Sequence, residues 1–572
     1  MTTTAPLFDA WLDDFFRSYH RHRPVNATFI GEHDHDGRLP DVSPEGVGDA
    51  LMDAKHLLRR LEELPPEFRS PAQEMDARLA GGFLRTQLWE YGSGHGVRGN
   101  PALVTGEAVF GVMGLFLNAA TPLAHRVEAA RERLDGIPLL LQQLRKGIRE
   151  APASWTRRAI RECDGALALL AGSGAEASGL DLLAHAEGFD PAVLTKGADG
   201  AARAFSDLRA WLESDLLAKD RGSVACGEEA LELHIRHAHF LGGTVDDAVA
   251  YAREQIAQAR SYLEEHAGDF GAVTPEEAMA ALSTLHPTAD GYLPRYQDMW
   301  DRVWALSEEH CLLTWPDFPI RYVPRPRWTR RAAPHLYFLF YRSPAAVARP
   351  PVHDYLVMPI DADLPADEQR ALLQANNDSV IKLNHVVHHG GIGHHVQNWH
   401  AFRAPSRVGR MAAVDCASRI AMLCGGTMAE GWACYATDLV AEFGGLTPLE
   451  AYAERHGRVR MACRAVVDLE LHRGRMSQEE AEAFYREVAG MSVAAAQGEV
   501  TKNGMFPAGA VMYLAGTDGI HDLRRRLSEL QGPAFDLRDF HDAFLSHGSV
   551  PVALVAESML RKRPDADDAP SQ

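Results

Sequence analysis

Asn384-His385-Val386-Val387-His388-His389-Gly390-Gly391-Ile392-Gly393-His394-His395-Val396-Gln397-Asn398-Trp399-His400 holds six of the chain's 27 histidines, interleaved with three glycines. A lone histidine on a helix is usually a half-buried polar residue. A run of this density serves no packing purpose, and histidine is the commonest metal ligand. His385 and His389 have the i, i+4 spacing that puts two imidazoles on one helical face, but Val386 stands where H-E-x-x-H has its glutamate. His388 and His394 are six apart, about 120° off a common face on an unbroken helix. Gly390, Gly391 and Gly393 allow that helix to bulge or break. The segment is therefore a candidate site for one divalent metal ion, with His385 and His389, or His388 and His394 brought together by the glycines, as the possible ligand pairs.

Zinc sites of the glutamate type draw two histidines from one helix and a carboxylate from a following one. Glu430 opens such a segment, Met428-Ala-Glu-Gly-Trp-Ala-Cys-Tyr435, among small and aromatic neighbours. A solvated surface glutamate is the competing reading, and the apolar surroundings favour the ligand role. Two histidines and one carboxylate also make the facial triad of non-haem iron enzymes, so the ligand set leaves zinc, iron, copper and manganese open.

Composition narrows the partners. The 572 residues are 46% hydrophobic and 24% charged, which excludes disordered and collagen-like classes. Fifty-eight basic against 78 acidic side chains give a net charge of -20, which repels phosphate backbones and argues against nucleic acid. The seven cysteines, with no C-x-x-C pair, argue against a disulfide framework. The opening MTTTAPLFDAWLDDFF has no signal-peptide pattern, and no apolar run reaches the ~20 residues of a membrane span. A cytoplasmic protein, monomer or homodimer, is expected.

Most of the chain reads as helix. Residues 9–20, 51–63, 125–150, 155–172, 202–219, 245–266 and 275–284 carry apolar positions at three- and four-residue spacing. Thr244–Asp247, Thr274–Glu277, Thr447–Glu450 and Ser477–Glu480 read as capping boxes. The small-residue stretch 172–179 reads as a loop. Residues 317–352 and the DYLVMPI that follows suggest a few strands backing the histidines. In Pro334–Ser343, Tyr341 and Arg342 are candidates for a substrate-pairing edge, although a core strand explains the same residues. Cys416, Cys424 and Cys434 flank the ligand segments and read as buried small hydrophobes, with Cys434 on the Glu430 face. Asp415 is a candidate hydrogen-bond partner for a ligand histidine. One helical unit over 1–572 is expected, divisible into 1–240 and a metal-site part 241–560, with 561–572 a frayed tail.

The combination HHGGIGHHVQ (388–397), EGWACY (430–435), Pro507…Tyr513…Gly516, Leu523-Arg524, Phe540-His541-Asp542 and Gly548…Pro551 resembles the bacterial family known as domain of unknown function 885. RPVNATFIGEHDHDGRLPDVSPE (23–45) and Asp468…His472 fit the same pattern. The resemblance links the chain to helical gluzincin metallopeptidases, the group of oligopeptidases and angiotensin-converting enzyme. It implies a mainly α, metallopeptidase-like fold with a small β-sheet beside a deep active-site cleft. It also implies a metal on His388, His394 and Glu430, with His395 a possible further ligand and Tyr513 and His541 as oxyanion donors, each worth about 100- to 1000-fold in rate. Arg524 becomes a candidate for a substrate carboxylate, a surface ion pair being the alternative.

The chain departs from the pattern where H-E becomes His388-His389 and where Ile392 replaces a proline. Loss of a general base costs about 100- to 10,000-fold. Three readings follow. His389 acts as the base of a hydrolase that cleaves amide bonds in peptides or peptide-like small molecules. Alternatively, the metal runs non-hydrolytic or redox chemistry on a small molecule. In the third, the chain binds peptides without cleaving them.

Overall fold

The computed structural model describes residues 5–117, 120–172, 177–219, 222–336, 346–347, 350–411 and 426–561. Among the described residues helix accounts for 74%, against two five-residue strands, so the protein is mainly α. Among the described residues, no helix is long and apolar enough to cross a membrane.

Three of the four expected capping boxes close on both sides, at Thr244, Thr447 and Ser477. Each threonine or serine oxygen accepts an amide hydrogen bond three residues on, and the carboxylate there accepts from the cap's own amide. At Thr274 the hydroxyl accepts from Glu277 N (3.2 Å), but the Glu277 carboxylate takes the Val273 amide instead (2.8 Å). That end is singly capped by its own residue. Residues 245–266 form one helix, Val245–His266. The 202–219 segment starts earlier, at Ala192, and passes through a π-helical turn at Leu212–Leu216. Gly197 and Gly200 hide that earlier start from propensity. At Gly197 the reason is close packing, since a Cβ there would meet Leu134 Cβ at 2.9 Å. Helix Pro275–Ala280 tightens into a 3₁₀ turn over 281–284.

The strands β1 (Ile320–Pro324) and β2 (His353–Val357) pair in parallel, Tyr322 opposite Tyr355. Of the DYLVMPI run, Asp354 to Val357 is strand. Of Pro334–Ser343, residues 337–345 lie outside the described residues, and so do Tyr341 and Arg342. Residues 173–176 of the expected 172–179 loop also lie outside them, as do 562–572 of the expected tail, Asp415, Cys416 and Cys424.

The largest apolar core joins the two ends of the chain. Phe8, Trp11 and Phe15 share it with Tyr296, Val386, Trp432, Leu439 and Phe544. A second core is built from residues 102–216, closed by Trp328 and Leu336. The histidine segment sits in the first. β1 and β2 back it directly, because the Tyr355 hydroxyl lies 2.6 Å from His385 Nδ1 and a Cβ at Gly390 would overlap the Tyr322 hydroxyl.

Candidate metal centre

Residues Ile381–Gly390 are π-helical, the chain turns at Gly391–Gly393, and a new helix runs His394–Ala401. The turn folds back on the segment before it. Gly391 N donates to the Val386 carbonyl, and Gly393 N donates to that of Val387 (2.9 Å). A Cβ at Gly393 would overlap the His388 carbonyl oxygen, so only glycine lets the backbone approach this closely. Ile392 is fully buried between them, and Trp432 Nε1–H donates to its carbonyl (2.8 Å). This reversal brings together two histidines that a straight helix would separate. The rings of His388 and His394 are 5.0 Å apart, and His389 lies 4.6 Å and 5.5 Å from them. One nitrogen from each of the three falls within 4.8 Å of the others.

Glu430 enters from helix Gly426–Glu442, held against helix Val511–Gln531 by a glycine contact. A Cβ on Gly431 would lie 2.5 Å from the Gly516 carbonyl carbon, and one on Gly516 would overlap the Thr427 carbonyl. Backbone therefore meets backbone beside Glu430 and one turn from Tyr513. Glu430 Oε2 lies 3.3 Å from His388 Nε2 and 3.9 Å from His394 Nε2. Oε2 and His394 Nε2 are both buried atoms.

The electrostatics suit a cation. Burial opposes the Glu430 charge, but the His388 contact and the His394, His388 and Lys502 charges win and hold its carboxyl far below the usual range. Burial lowers His394 to about 4 despite the nearby Glu430. His389 is pushed well below its ordinary value, by burial first and then by the neighbouring histidines. These imidazoles are neutral at pH 7, the form that binds metal. His389 Nδ1–H donates to the Asn384 carbonyl (2.5 Å), which puts the ring's lone pair on Nε2.

The other expected residues divide. Tyr513 lies near Glu430. Its hydroxyl accepts from Lys502 Nζ (3.0 Å), and Arg464 lies over its ring at 4.9 Å. Burial and then the Glu430 charge raise the phenol, which keeps its proton. His395 is expected as a possible ligand but is turned away. Its Nε2–H donates to the Phe318 carbonyl (2.7 Å), and its ring stacks on Phe318 and His353. His385 sits behind the three-histidine group, its Nδ1 on Tyr355. His541 is expected as an oxyanion donor, and both of its ring nitrogens are already engaged in hydrogen bonds. It is fully buried, its Nδ1–H donates to the Leu312 carbonyl (2.6 Å), and Nε2 accepts from Tyr435 (2.9 Å), so no proton remains to offer. Arg524 is likewise committed, to both oxygens of Glu442 (2.8 and 2.7 Å) and to the Tyr435 hydroxyl (3.2 Å). The ion-pair alternative describes it. Cys434 is a buried thiol whose pKa burial pushes up, with Met461, Met512 and Tyr513 around it.

Two supporting residues escape sequence reasoning. Tyr435, the last residue of EGWACY, ties Arg524 to His541. Lys502 has no local motif at all. The Asp468…His472 pair also finds its meaning here. Asp468 accepts from the amides of Ala508 (2.9 Å) and Ala510 (2.7 Å), holding Ala508 at φ +56° at the start of the Tyr513 helix. Left-handed alanine is strained, and the buried carboxylate is what over-determines it.

A family model described as "Bacterial protein of unknown function (DUF885)" matches residues 24–559. Two solved structures share the fold. One, a "putative lipoprotein of unknown function" from Shewanella oneidensis, superposes with a TM-score of 0.77 at 21% identity, covering 97% of this chain and 100% of the other. A second, from Colwellia psychrerythraea and also titled a "putative lipoprotein", gives 0.79 at 17% identity over 98% and 99% of the two chains. No curated protein matches.

Proposed function

This chain belongs to the DUF885 family of bacterial proteins of unknown function, and on that premise we propose that it is a metal-dependent hydrolase of amide bonds in peptides or peptide-like small molecules. The observation that carries the reading is the buried Glu430 Oε2 lying 3.3 Å and 3.9 Å from the Nε2 atoms of His388 and His394. Bonds of ~2.0–2.1 Å to a tetrahedral zinc place neighbouring ligand atoms roughly 3.3–3.4 Å apart. One pair already has that separation, and the other needs a small contraction. The donor set of imidazoles and one buried carboxylate suits a divalent ion. When bound, such an ion supplies Lewis acidity.

The chain's own residues complete the chemistry. His389 holds a lone pair on Nε2 beside the ligand histidines and takes a proton there, in the place the related pattern gives to glutamate. Lys502 donates to Tyr513 Oη and leaves the phenolic hydrogen to be aimed at developing negative charge. The buried surroundings of Glu430, His389 and Tyr513 strengthen those interactions.

A second reading has an observation of its own. His389 joins His388 and His394 in a group of three nitrogens within 4.8 Å. A nitrogen-rich site of that kind suits iron, copper or manganese and small-molecule redox chemistry. Metal content decides between the two. Purified protein and its His394→Ala and Glu430→Ala variants are measured by elemental mass spectrometry, followed by assays on peptide libraries. Zinc at one per chain, lost in the variants, with chelator-sensitive amide cleavage, supports hydrolysis. Iron, copper or manganese at that stoichiometry supports the redox reading. No metal in any of the proteins refutes both and leaves a peptide-binding role.

A further inference from the structure

The RPVNAT stretch at 23–28 takes no part in the metal centre, yet it builds the wall of a second cavity. This cavity encloses about 670 Å³ of space, open solvent included. Its apolar side is Val42, Val47, Ala50, Val97, Leu103 and Val104. Its polar side is His22, Arg23, Asn26, Asp41, Glu90, Tyr91 and Glu107.

Most of the polar groups are already engaged. His22 lies 2.9 Å from Asp53. Asp41 accepts from Ser43 N (2.9 Å) and Gln143 Nε2 (3.0 Å). Arg23 is caged by aromatic rings, over Tyr19 at 5.0 Å, Phe83 at 5.2 Å and Tyr91 at 5.6 Å, and the Gln87 amide oxygen accepts from it. Two acceptors stand apart from this. Asn26 is 1% exposed, its Nδ2 donates to the Tyr19 hydroxyl (3.4 Å), and its Oδ1 is buried with no hydrogen-bond partner. The Glu107 side chain makes no hydrogen bond or ion pair among the described residues; Arg23 and Arg133 act on it only at longer range. One turn away on the facing helix, Glu162 shows the contrast, paired with Arg158 (2.9 Å) and Thr105 (2.6 Å).

We propose that this cavity binds a small organic cation, a protonated primary amine on an apolar body, with its ammonium group on Glu107 and Asn26 Oδ1. Asn26 Oδ1 and Glu107 are both acceptors, so a ligand held by them must donate. One of them is a carboxyl, which favours a positive charge over a neutral hydroxyl. The valine and leucine wall requires a hydrocarbon part. A bare metal ion does not fit, because among the described residues only His388, His389 and His394 bring three ligand atoms together. Burial raises Glu107 to about 7 against the pull of Arg23 and Arg133, as befits a carboxyl awaiting a counter-charge. The site is independent of the metal centre, since none of its lining residues is a ligand candidate.

The test is calorimetric titration of the full chain with n-pentylamine, using n-pentanol and pentanoate as matched controls. The amine is expected to bind at least tenfold more tightly than either control. Glu107→Gln should weaken it at least tenfold, while Glu430→Ala leaves it unchanged. Equal binding of amine and pentanoate, no detectable amine binding, or an unaffected Glu107→Gln variant each overturns the proposal. If Glu107→Gln melts early, a crystal of the unaltered protein soaked in n-pentylamine decides instead. Nitrogen within hydrogen-bond reach of Glu107 and Asn26 upholds the site, and an amine lodged elsewhere overturns it.

Discussion

Replacing Gly431 by alanine tests whether the glycine contact between two helices sets the site. The added Cβ would stand 2.5 Å from the Gly516 carbonyl carbon and 2.6 Å from its Cα. Carbon atoms pack at about 3.5–4.0 Å, so the helices must part by roughly 1 Å. Overpacking of this kind costs about 1–3 kcal/mol. Alanine's helix preference returns roughly 0.5–1 kcal/mol, so the net loss is about 0–2.5 kcal/mol. Gly498 supplies the control. It is an exposed helical glycine in Val493–Met505, and its Cβ would meet nothing within 4 Å. Gly498→Ala should therefore gain the roughly 0.5–1 kcal/mol in full. Urea denaturation followed by circular dichroism reads both. Because Gly431 adjoins Glu430 and Gly516 lies one turn from Tyr513, the same substitution should also weaken metal binding, read by competition with a chromophoric chelator. Gly431→Ala with the stability gain of Gly498→Ala and unaltered metal affinity would refute the account of how these helices position Glu430.

Three other outcomes follow from the same geometry. Tyr435→Phe strips the donor from buried His541 Nε2 and should cost about 1–3 kcal/mol in a urea melt; His541→Ala activity loss without such destabilisation would contradict its structural role. Burial opposes the Glu499 charge, but Arg464 outweighs it and holds the carboxyl down to about 2. This depressed value means stability that is complete above the unfolded value of 4.5 and is lost as pH falls toward 2, on the order of 3 kcal/mol, and an acid titration of Glu499→Gln should lack that component. Gly393→Ala should lose the reversal between the two histidine helices, and with it metal binding; retention of one metal per chain would show that the turn does not need glycine.

The parts of this site legible in the sequence are those carried by local pattern. Histidine density with three glycines marked the segment as a candidate site, because a bulged helix is encoded within a dozen residues, and the family resemblance singled out His388 and His394. Glu430 was legible from its apolar neighbours. The helix starts at Thr244, Thr447 and Ser477 were legible because a capping box is a four-residue device. What the sequence hid was long-range. The Tyr435–His541 hydrogen bond joins residues 106 apart, and that distance turned a candidate catalytic histidine into a buried acceptor. Arg524 reads equally well as substrate clamp or ion pair until Glu442 is seen across the gap. Lys502 and Glu107 sit in helices whose local pattern marks nothing. The glycine contact at Gly431 and Gly516 needs two helices to be seen together.

His389 occupies the decisive position, and its surroundings argue that histidine is built in there. In the π-helical turn its Nδ1–H donates to the Asn384 carbonyl, five residues back. Glutamate has no donor for that oxygen. A carboxylate placed there would face a carbonyl and would add a second negative charge near Glu430 in a buried site, where an unpaired charge is costly. His389→Glu should therefore destabilise the protein by about 1–3 kcal/mol without metal. It should recover part of that when zinc is added, since bound metal stabilises the folded state by mass action. His389→Gln keeps an N–H donor of similar reach and should fold nearly as well as the unaltered chain. Thermal melts of the three proteins, with and without zinc, separate the cases. If His389→Glu is as stable as the parent in the absence of metal, the Asn384 hydrogen bond is incidental and the histidine is a simple replacement. If instead it is destabilised and gains more from zinc than His389→Gln does, the π-turn and the imidazole are one adapted unit, and the metal centre is organised around a nitrogen at this position.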